Sequence, residues 1–249
     1  ATQPEVKNPV IPATVPEFSD CIKFENVTFG YSDSPILKNV SFDIKKGTSV
    51  AIVGATGAGK TTITSLLTRW YDVQSAKITL DGINIKDFRQ QDLAKIMSFV
   101  MQDIYLFPGS IRDNLRAMRI DIPDSQVEEA IRSLDIEHII ARFENGLDTV
   151  LSENGKNLSF GERQLLSFAR ALTFQPEILI IDEATSSVDP ATEARLQDSL
   201  LTLLEGRTSI IIAHRLSTIV HTDKIVVMDQ GQLAEEGTHD ELLLQNGIY

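Results

Sequence analysis

The chain has 249 residues, of which 42% are hydrophobic and 23% are charged. This is the composition of an ordinary globular protein, and the length allows one or two domains with a large buried core. The formal net charge of −12 argues against nonspecific binding of nucleic acid, which needs a basic surface. Cys21 is the only cysteine, so the chain cannot form an internal disulfide or a cysteine-cluster metal site.

Residues 1–19 are rich in proline, with Pro4, Pro9, Pro12 and Pro16. This composition predicts an extended or loosely ordered linker. The chain starts without a methionine, and no apolar run approaches the roughly 18 residues needed to span a membrane. We therefore expect residues 1–19 to be a tether from a preceding domain and residues 20–249 to be a folded domain.

Alternating strand and helix patterns follow the linker. Residues 22–29 alternate as an edge-type strand does, and residues 36–44 continue in a β-like pattern. Further strands are predicted at 49–53, 77–80, 96–100, 178–181, 209–213 and 224–228. Apolar strands that alternate with helices indicate a mostly parallel sheet covered on both faces.

Residues 103–165 interrupt this alternation with a helical pattern, which predicts an inserted helical subdomain. Within it, Ser125 and Glu128 have the spacing of a capping box, so a helix is expected from there through Leu134. Val127, Ala130 and Ile131 share one face of that helix with Leu134.

A glycine-rich segment directly after the strand at 49–53 fits the phosphate-binding loop pattern. Its members are Gly54, Ala55, Thr56, Gly57, Ala58, Gly59, Lys60 and Thr61, and Thr62 follows. The glycines let backbone N–H groups converge on an anion, and the helix predicted at 60–71 directs its N-terminus at the same place. Lys60 can bind the β- and γ-phosphates, and the Thr61 hydroxyl can bind Mg²⁺. The alternative is a tight glycine-rich turn that contains a lysine by chance.

Asp182 and Glu183 follow four apolar residues of a predicted buried strand. The carboxyl end of such a strand is where ligands bind in parallel sheets. Asp182 is placed to hold Mg²⁺, and Glu183 is placed to polarise a water that attacks the γ-phosphate. The alternative is a strand that ends in two solvated acids.

Further elements fall in a fixed order around these two motifs: Tyr31 in Phe-Gly-Tyr, Gln102 in Phe-Val-Met-Gln, the segment 186–189 ending in Asp189, and His214 after Ser-Ile-Ile-Ile-Ala. With them, the chain from about residue 20 to 249 resembles the nucleotide-binding domain of an ATP-binding cassette (ABC) transporter of the exporter kind. The resemblance implies an α/β fold: a P-loop NTPase (RecA-like) core of about 20–102 and 166–249 with a mostly parallel sheet, an N-terminal antiparallel β part, and the helical insertion at about 103–165.

The resemblance also implies roles for these residues. Tyr31 would stack on adenine, an interaction of about 1–3 kcal/mol that tolerates different bases. Gln102 would contact Mg²⁺ and the attacking water, and His214 would contact the γ-phosphate. The segment 186–189 would cross to a second subunit, although Asp189 is equally explained as a helix cap. Tyr105, Leu106 and Phe107 would either line a groove for a helix of the membrane domain or belong to the core.

One motif departs from the family pattern. Where the family has Leu-Ser-Gly-Gly-Gln, this chain has Leu-Ser-Phe-Gly-Glu at 158–162. In the family this signature binds the γ-phosphate of ATP held by the other subunit of a head-to-tail dimer, so Ser159 and Gly161 are expected to retain that role. Glu162 would repel a phosphate at about 4 Å by roughly 4 kcal/mol at an effective dielectric of 20. Alternatively, Ser159 and Glu162 form a capping box, and Glu162 folds back onto its own helix.

The segment 149–155 resembles the exporter segment that relays motion to the membrane domain; Thr149, Glu153 and Gly155 match, whereas Ser152 and Asn154 depart. Taken together, the resemblance implies an ATPase with ATP and Mg²⁺ as cofactors, located at the cytoplasmic face of the cell membrane. Its expected partners are the coupling helices of a transmembrane domain and a second, non-identical nucleotide-binding domain with an intact signature; no nucleic-acid partner is expected. The alternatives are an ATP-gated dimerisation module with little turnover and a soluble ATPase of the same superfamily.

Overall fold

The computed structural model describes residues 6–152, 155–183 and 189–249. Its strands are β1 (Cys21–Phe29), β2 (Leu37–Lys45), β3 (Ser49–Gly54), β4 (Ser75–Leu80), β5 (Ile83–Asn84), β6 (Met97–Val100), β7 (Gly109–Ser110), β8 (Val150–Leu151), β9 (Ile178–Asp182), β10 (Thr208–Ile212), β11 (Lys224–Asp229) and β12 (Gln232–Gly237). Its α-helices are α1 (Lys60–Leu67), α2 (Gln90–Ile96), α3 (Ile111–Leu115), α4 (Asp124–Ser133), α5 (Glu137–Ala141), α6 (Phe160–Thr173), α7 (Pro190–Leu204), α8 (Leu216–Ile219) and α9 (His239–Gln245). Short 3₁₀ turns lie at Ile85–Asp87 and Gly146–Asp148.

A six-stranded sheet in the order β12-β11-β3-β10-β9-β6 forms the centre of the molecule. Its strands are parallel except β12, which pairs antiparallel with β11 at one edge. Every residue of β9 and β10 is buried, which explains why these strands are continuous apolar runs rather than alternating ones. The predicted mostly parallel sheet is therefore confirmed, whereas β12 was not anticipated.

A second, antiparallel sheet has the order β2-β1-β4-β5. The prediction of an edge strand at 22–29 was wrong, because β1 lies between two partners: Phe24 is paired with Phe42 on one side and with Ile78 on the other. The alternation in β1 arises from burial of one face only. That face packs on a core which includes Ile63 and Leu66 of α1, so the antiparallel sheet covers the helix that follows the glycine-rich loop.

The segment 103–165 contains α3, α4 and α5, together with a small β7–β8 sheet that the sequence did not predict. Helix α6 begins in this segment and ends at Thr173. The predicted capping box at Ser125 was wrong: the helix begins at Asp124 after Pro123, which has extended backbone angles and no side-chain cap. The predicted apolar face is correct, since Val127, Ala130 and Ile131 are all buried.

The described part of the proline-rich N-terminus runs from residue 6 without helix or strand and lies along the domain. Val6 and Phe18 are buried, and the N–H of Ala13 donates to the carbonyl of Asp87 over 2.7 Å. The buried guanidinium of Arg69 donates to the carbonyl of Lys7 over 2.9 Å. Arg69 has a φ of 59°, a left-handed backbone that ends α1 before the predicted residue 71. Within the described residues, no helix has both the length and the apolarity that crossing a membrane requires.

Candidate nucleotide-binding site

Four neighbouring strands of the parallel sheet bring the predicted motifs to one edge. β3 leads into the glycine-rich loop, β9 ends at Asp182, β6 ends two residues before Gln102, and β10 ends two residues before His214. The register places Ile212 of β10 beside both Ile52 of β3 and Asp182 of β9. These motifs are far apart in sequence, and they meet because the carboxyl ends of parallel strands share one edge.

Two glycines of the loop are required by its geometry. Gly54 has a φ of 147°, and a Cβ there would lie 2.2 Å from the carbonyl oxygen of Met228 in the neighbouring strand. Gly59 caps α1 with a φ of 98°, and a Cβ there would lie 2.6 Å from a methyl group of Leu37. Larger residues would therefore change the path of the loop at both ends.

Lys60 is buried at the start of α1, and its ammonium group donates to the carbonyls of Gly54 and Ala55 over 2.7 and 3.1 Å. Desolvation lowers the pKa of Lys60, and the nearby charge of Asp182 opposes this shift. Thr61, the next residue, is exposed. The Lys60 ammonium group is therefore held against the loop backbone, and Thr61, which carries a hydroxyl group, is accessible to solvent.

Asp182 is 7% exposed at the end of β9. Burial raises the pKa of its carboxyl group, and the charges of His214 and Lys60 partly offset the increase. A buried carboxylate with a raised pKa is stabilised by a cation, and hard cations such as Mg²⁺ prefer oxygen ligands. Thr61 and Gln102 also carry side-chain oxygen atoms and are exposed at the same edge of the sheet, so the chemistry of these three residues fits such an ion.

The carboxylate of Glu183 accepts hydrogen bonds from a single segment of the chain. Its Oε2 atom accepts from the backbone N–H groups of His214 and Arg215 over 2.8 and 3.1 Å. Its Oε1 atom accepts from the hydroxyl of Thr218 over 2.7 Å, and the Arg215 guanidinium lies 3.9 Å from Oε1. Arg215 is also paired with Glu193 of α7 at 2.8 Å. Glu183 is thus fixed to the segment that carries His214.

Gln102 and His214 both have exposed side chains at the rim of this edge. Gln102 lies in the connection that leads from β6 into the helical segment. The structure therefore places Gln102 and His214 at the same edge as the glycine-rich loop.

Tyr31 lies in a cluster of aromatic rings near the start of α1. Its ring makes edge contacts with Phe29 and Tyr71 at centroid distances of 5.1 and 4.9 Å, and its hydroxyl donates to Oγ1 of Thr62 over 3.4 Å. Half of its surface stays exposed. An exposed aromatic ring beside a phosphate-loop helix offers a surface on which a base can stack.

The altered signature forms the start of α6. The Ser159 hydroxyl accepts from the N–H of Glu162 over 3.2 Å, and the carboxylate of Glu162 accepts from the N–H of Ser159 over 2.7 Å. Arg142 is ion-paired with the same carboxylate. Burial alone would raise the pKa of Glu162. The hydrogen bonds with Ser159 and the charge of Arg142 have a larger effect, and together they lower the pKa of Glu162. Of the two arrangements considered for Glu162, the described chain contains the capping box.

Gly161 packs against α7 rather than lying open. A Cβ at Gly161 would lie 2.4 Å from Cγ2 of Thr192. Phe160 is only partly exposed and lines a small cavity next to Glu183, so its bulk is directed partly into the chain. Asp189 caps α7 by accepting from the N–H of Thr192 over 3.0 Å. Residues 186–188 and the residues Glu153 and Asn154 lie outside the described part of the chain.

The structure separates residues 105–107 into one core residue and two residues that line a groove, and docking of a membrane-domain helix in that groove stays a prediction. Leu106 is fully buried in the core, whereas Tyr105 and Phe107 line a groove of about 300 Å³ beside α6. Arg170 organises this groove: it donates to the carbonyl of Tyr105 over 2.9 Å and lies 5.3 Å from the centre of the Phe107 ring. Burial lowers the pKa of Arg170 to about 10.

Several residues of the site were missed by the sequence analysis. Thr218 and Arg215 contact Glu183, and Tyr71 and Gln74 contact the loop around Tyr31. For Thr218 the available signal was a polar residue four positions after His214. The others have no local signal, because their partners are distant in sequence.

Comparisons with known proteins agree with this geometry. The family model described as ABC transporter matches residues 37–186. The chain belongs to the ABC transporter family. It is 48% identical over 229 residues to the uncharacterized ABC transporter ATP-binding protein YfiC of Bacillus subtilis, covering 92% of this chain and 38% of that protein. It is 46% identical over 231 residues to the ATP-dependent lipid A-core flippase of Pasteurella multocida, covering 92% of this chain and 40% of that protein.

A solved structure of a bacterial Atm1-family ABC exporter with ATP bound is similar over 98% of this chain and 43% of its own length, with a TM-score of 0.89 and 42% identity. The predicted P-loop NTPase fold with an antiparallel β part and a helical insertion is thus confirmed, and so is the exporter-type resemblance. The chain is an ATP-binding domain of the ABC exporter type. It spans about two fifths of the length of the curated relatives described above.

Proposed function

We propose that this ABC exporter domain binds ATP with Mg²⁺ and hydrolyses it to drive export across a membrane. The observation that carries the proposal is the meeting of the glycine-rich loop, Asp182–Glu183 and His214 at the carboxyl edge of adjacent parallel strands. Phosphoryl transfer depends on positioning and charge stabilisation, and this edge offers both.

In this proposal some residues of the chain bind the nucleotide and others take part in its hydrolysis. The amides of the residues Gly54–Thr62 and the Lys60 ammonium hold the phosphates, while Tyr31 stacks on the adenine. Thr61, Gln102 and Asp182 would hold Mg²⁺, which would neutralise charge on the phosphates. Glu183 orients the attacking water and takes up its proton, and His214 contacts the γ-phosphate.

We further propose that the site is completed by a second nucleotide-binding domain, packed head to tail. Ser159, Gly161 and the N-terminus of α6 would face the partner's nucleotide, and the segment that ends at Asp189 would cross the interface. Because Phe160 and Glu162 replace residues of the intact signature, this chain offers its partner a weakened one. The favoured partner is therefore a non-identical domain that carries Leu-Ser-Gly-Gly-Gln and lacks a good catalytic base of its own.

The groove beside α6 supports docking of a coupling helix from a transmembrane domain. Tyr105 and Phe107 provide its apolar wall, and Arg170 binds the carbonyl of Tyr105 and the ring of Phe107. In this arrangement residues 1–19 are the tether, residues 20–249 are the domain, and residues 103–165 are its helical subdomain. The domain would act at the cytoplasmic face of the cell membrane.

Binding and hydrolysis are separated by two variants. Lys60→Ala is expected to abolish MgATP binding, whereas Glu183→Gln is expected to keep binding and lose turnover. Lys46→Ala and Glu128→Gln, which change exposed side chains, serve as matched controls. Wild-type turnover in Glu183→Gln would reject Glu183 as the catalytic group, and MgATP binding by Lys60→Ala equal to that of the wild type would reject the phosphate site.

The dimer proposal has a separate test. ATPase activity is measured for this chain alone and after mixing with candidate domains that carry an intact signature. A large increase on mixing supports the heterodimer. Equally high activity of this chain alone contradicts it.

A second candidate function is an ATP-gated dimerisation module with little turnover. The observation that favours it is the carboxylate of Glu183, which is already occupied by three hydrogen-bond donors. Dimerisation by ATP without release of phosphate, even with a partner that carries an intact signature, would identify this function.

A further inference from the structure

Tyr31 lies on a short loop whose backbone is fixed by one side chain. The loop follows β1 and is closed by a 2.7 Å hydrogen bond from the N–H of Ile36 to the carbonyl of Phe29. The side-chain amide of Gln74 binds both backbone groups of Gly30: the Gly30 N–H donates to Oε1 over 3.1 Å, and Nε2 donates to the Gly30 carbonyl over 2.7 Å. Gln74 thus fixes the peptide groups immediately before Tyr31.

The turn itself is tightly packed. A Cβ at Gly30 would lie 2.3 Å from the carbonyl oxygen of Ser34. The backbone of the loop therefore has little freedom to shift. Because Gln74 fixes the backbone of Gly30, it also restricts the position of the next residue, Tyr31.

The ring of Tyr31 is fixed by a second contact from the same segment. Tyr71 meets it edge-on, with a centroid distance of 4.9 Å and an interplanar angle of 77°. Edge-to-face contacts of this kind orient aromatic rings because the positive edge of one ring meets the negative face of the other. Tyr31 remains 50% exposed, so these contacts leave ring surface available.

Tyr71 and Gln74 both follow α1, the helix that begins at the phosphate loop. The Tyr31 hydroxyl also donates to Thr62 within α1 over 3.4 Å. The exposed ring and the phosphate cradle are therefore joined through the side chains of one continuous segment, 60–74. Their separation is set before any nucleotide arrives.

We propose that Tyr71 and Gln74 are positioning residues for the nucleotide base, which hold the Tyr31 ring at a fixed distance from the phosphate loop. A ring that is ordered in advance binds a base without the entropic cost of ordering the loop. This inference rests on the proposed function, since it takes Tyr31 as the residue that receives the base. It extends that function by assigning base affinity to two residues that need not touch the nucleotide.

The test compares two ligands by calorimetric titration of the chain with Mg²⁺ present. MgATP carries a base, and inorganic tripolyphosphate carries only the phosphate chain. Tyr31→Ala is expected to weaken MgATP binding by roughly 5- to 150-fold and to leave tripolyphosphate binding within about twofold. Gln74→Met and Tyr71→Leu are expected to weaken MgATP binding by about 3- to 10-fold, also without effect on tripolyphosphate.

Matched variants separate positioning from general damage. Tyr71→Phe keeps the ring and is expected to bind as the wild type does. Gln91→Met makes the same change as Gln74→Met at an exposed position and is expected to have no effect. In the Tyr31→Ala background, Gln74→Met should cause no further loss, because there is no ring left to position.

Each remaining outcome overturns a defined part of the scheme. If Gln74→Met and Tyr71→Leu weaken both ligands equally, the two residues support the phosphate loop and the proposal is wrong. If Tyr31→Ala weakens MgATP binding while Gln74→Met and a folded Tyr71→Leu bind MgATP as the wild type does, Tyr71 and Gln74 do not position the ring. The proposed function then still stands. If the wild-type chain binds neither ligand, the proposed function itself fails.

Discussion

The hydroxyl of Thr218 donates a 2.7 Å hydrogen bond to Oε1 of Glu183, and both residues are buried. Thr218 lies in α8, four residues beyond His214, and the backbone of His214 and Arg215 holds the other carboxylate oxygen. The proposed base and the proposed γ-phosphate contact are thus parts of one connected unit. The position of Glu183 therefore depends on the position of the segment around His214.

The first prediction concerns this hydroxyl. Thr218→Val is expected to lower kcat for ATP hydrolysis by about 10-fold with little change in KM, because Glu183 loses orientation and not nucleotide contacts. Thr218→Ser retains the hydroxyl and should restore most of the rate. A Thr218→Val variant with wild-type kcat, or a Thr218→Ser variant as slow as it, would show that the hydroxyl does not position Glu183.

The second prediction concerns the metal. Asp182→Asn removes the charge that Mg²⁺ would neutralise, so the gain in ATP affinity on adding Mg²⁺ should fall by about 10-fold or more. Affinity for ATP in the presence of EDTA should change little or rise, since a buried negative charge near the phosphates is removed. Titrations with and without Mg²⁺ provide the measurement. An unchanged Mg²⁺ effect would exclude Asp182 as a ligand.

The third prediction concerns the pH dependence of the α6 cap. The pKa of Glu162 is lowered in the folded chain, so its stabilising effect is present above the pKa of the unfolded chain and is lost as the pH falls through the folded value, below 4.5. At neutral pH, Glu162→Ala should reduce the free energy of unfolding by about 0.5–1.5 kcal/mol, because it removes the hydrogen bond with the Ser159 N–H and the ion pair with Arg142. Urea titrations at several pH values should show this difference shrinking on the acid side. A difference that stays constant with pH would contradict the assignment.

The fourth prediction concerns the contact between α6 and α7. Gly161→Ala places a methyl group against Thr192, which is expected to cost about 1–3 kcal/mol of stability. Thr192→Ser removes the methyl group that would clash, so the double variant should recover most of the loss. Thr192→Ser alone is the control and should cost less than Gly161→Ala. Additive losses in the double-mutant cycle would disprove the steric explanation.

The sequence was sufficient to predict that the motifs meet at one edge of the sheet. The motifs that contain Lys60, Asp182 and His214 each lie at or just after the carboxyl end of a strand, and parallel topology alone brings such ends together. It was not sufficient to predict that β1 is an inner strand, because one-sided burial produces the same alternation at an edge and in the interior. The sequence also did not reveal that Ser125 lies inside α4 instead of capping it, because the helix begins one residue earlier, at Asp124 after Pro123.

Side-chain partners were the hardest part to predict. Gln74 and Gly30 are 44 residues apart, and Thr218 and Glu183 are 35 apart. No local pattern joins them, since each pair meets only after the sheets have assembled. The capping box of Ser159 and Glu162 was predictable because its two members are neighbours in one helical turn.

Two of the three donors that hold Glu183 are peptide groups, those of His214 and Arg215. Replacing either side chain leaves the N–H group in place, except where proline is introduced. Alanine substitutions in this segment therefore test the imidazole of His214 and the guanidinium of Arg215. They do not test the backbone N–H groups that bind the Glu183 carboxylate. A His214 variant can lose the imidazole and still hold Glu183 through its N–H group, so the ring and the peptide group of one residue are tested by different substitutions.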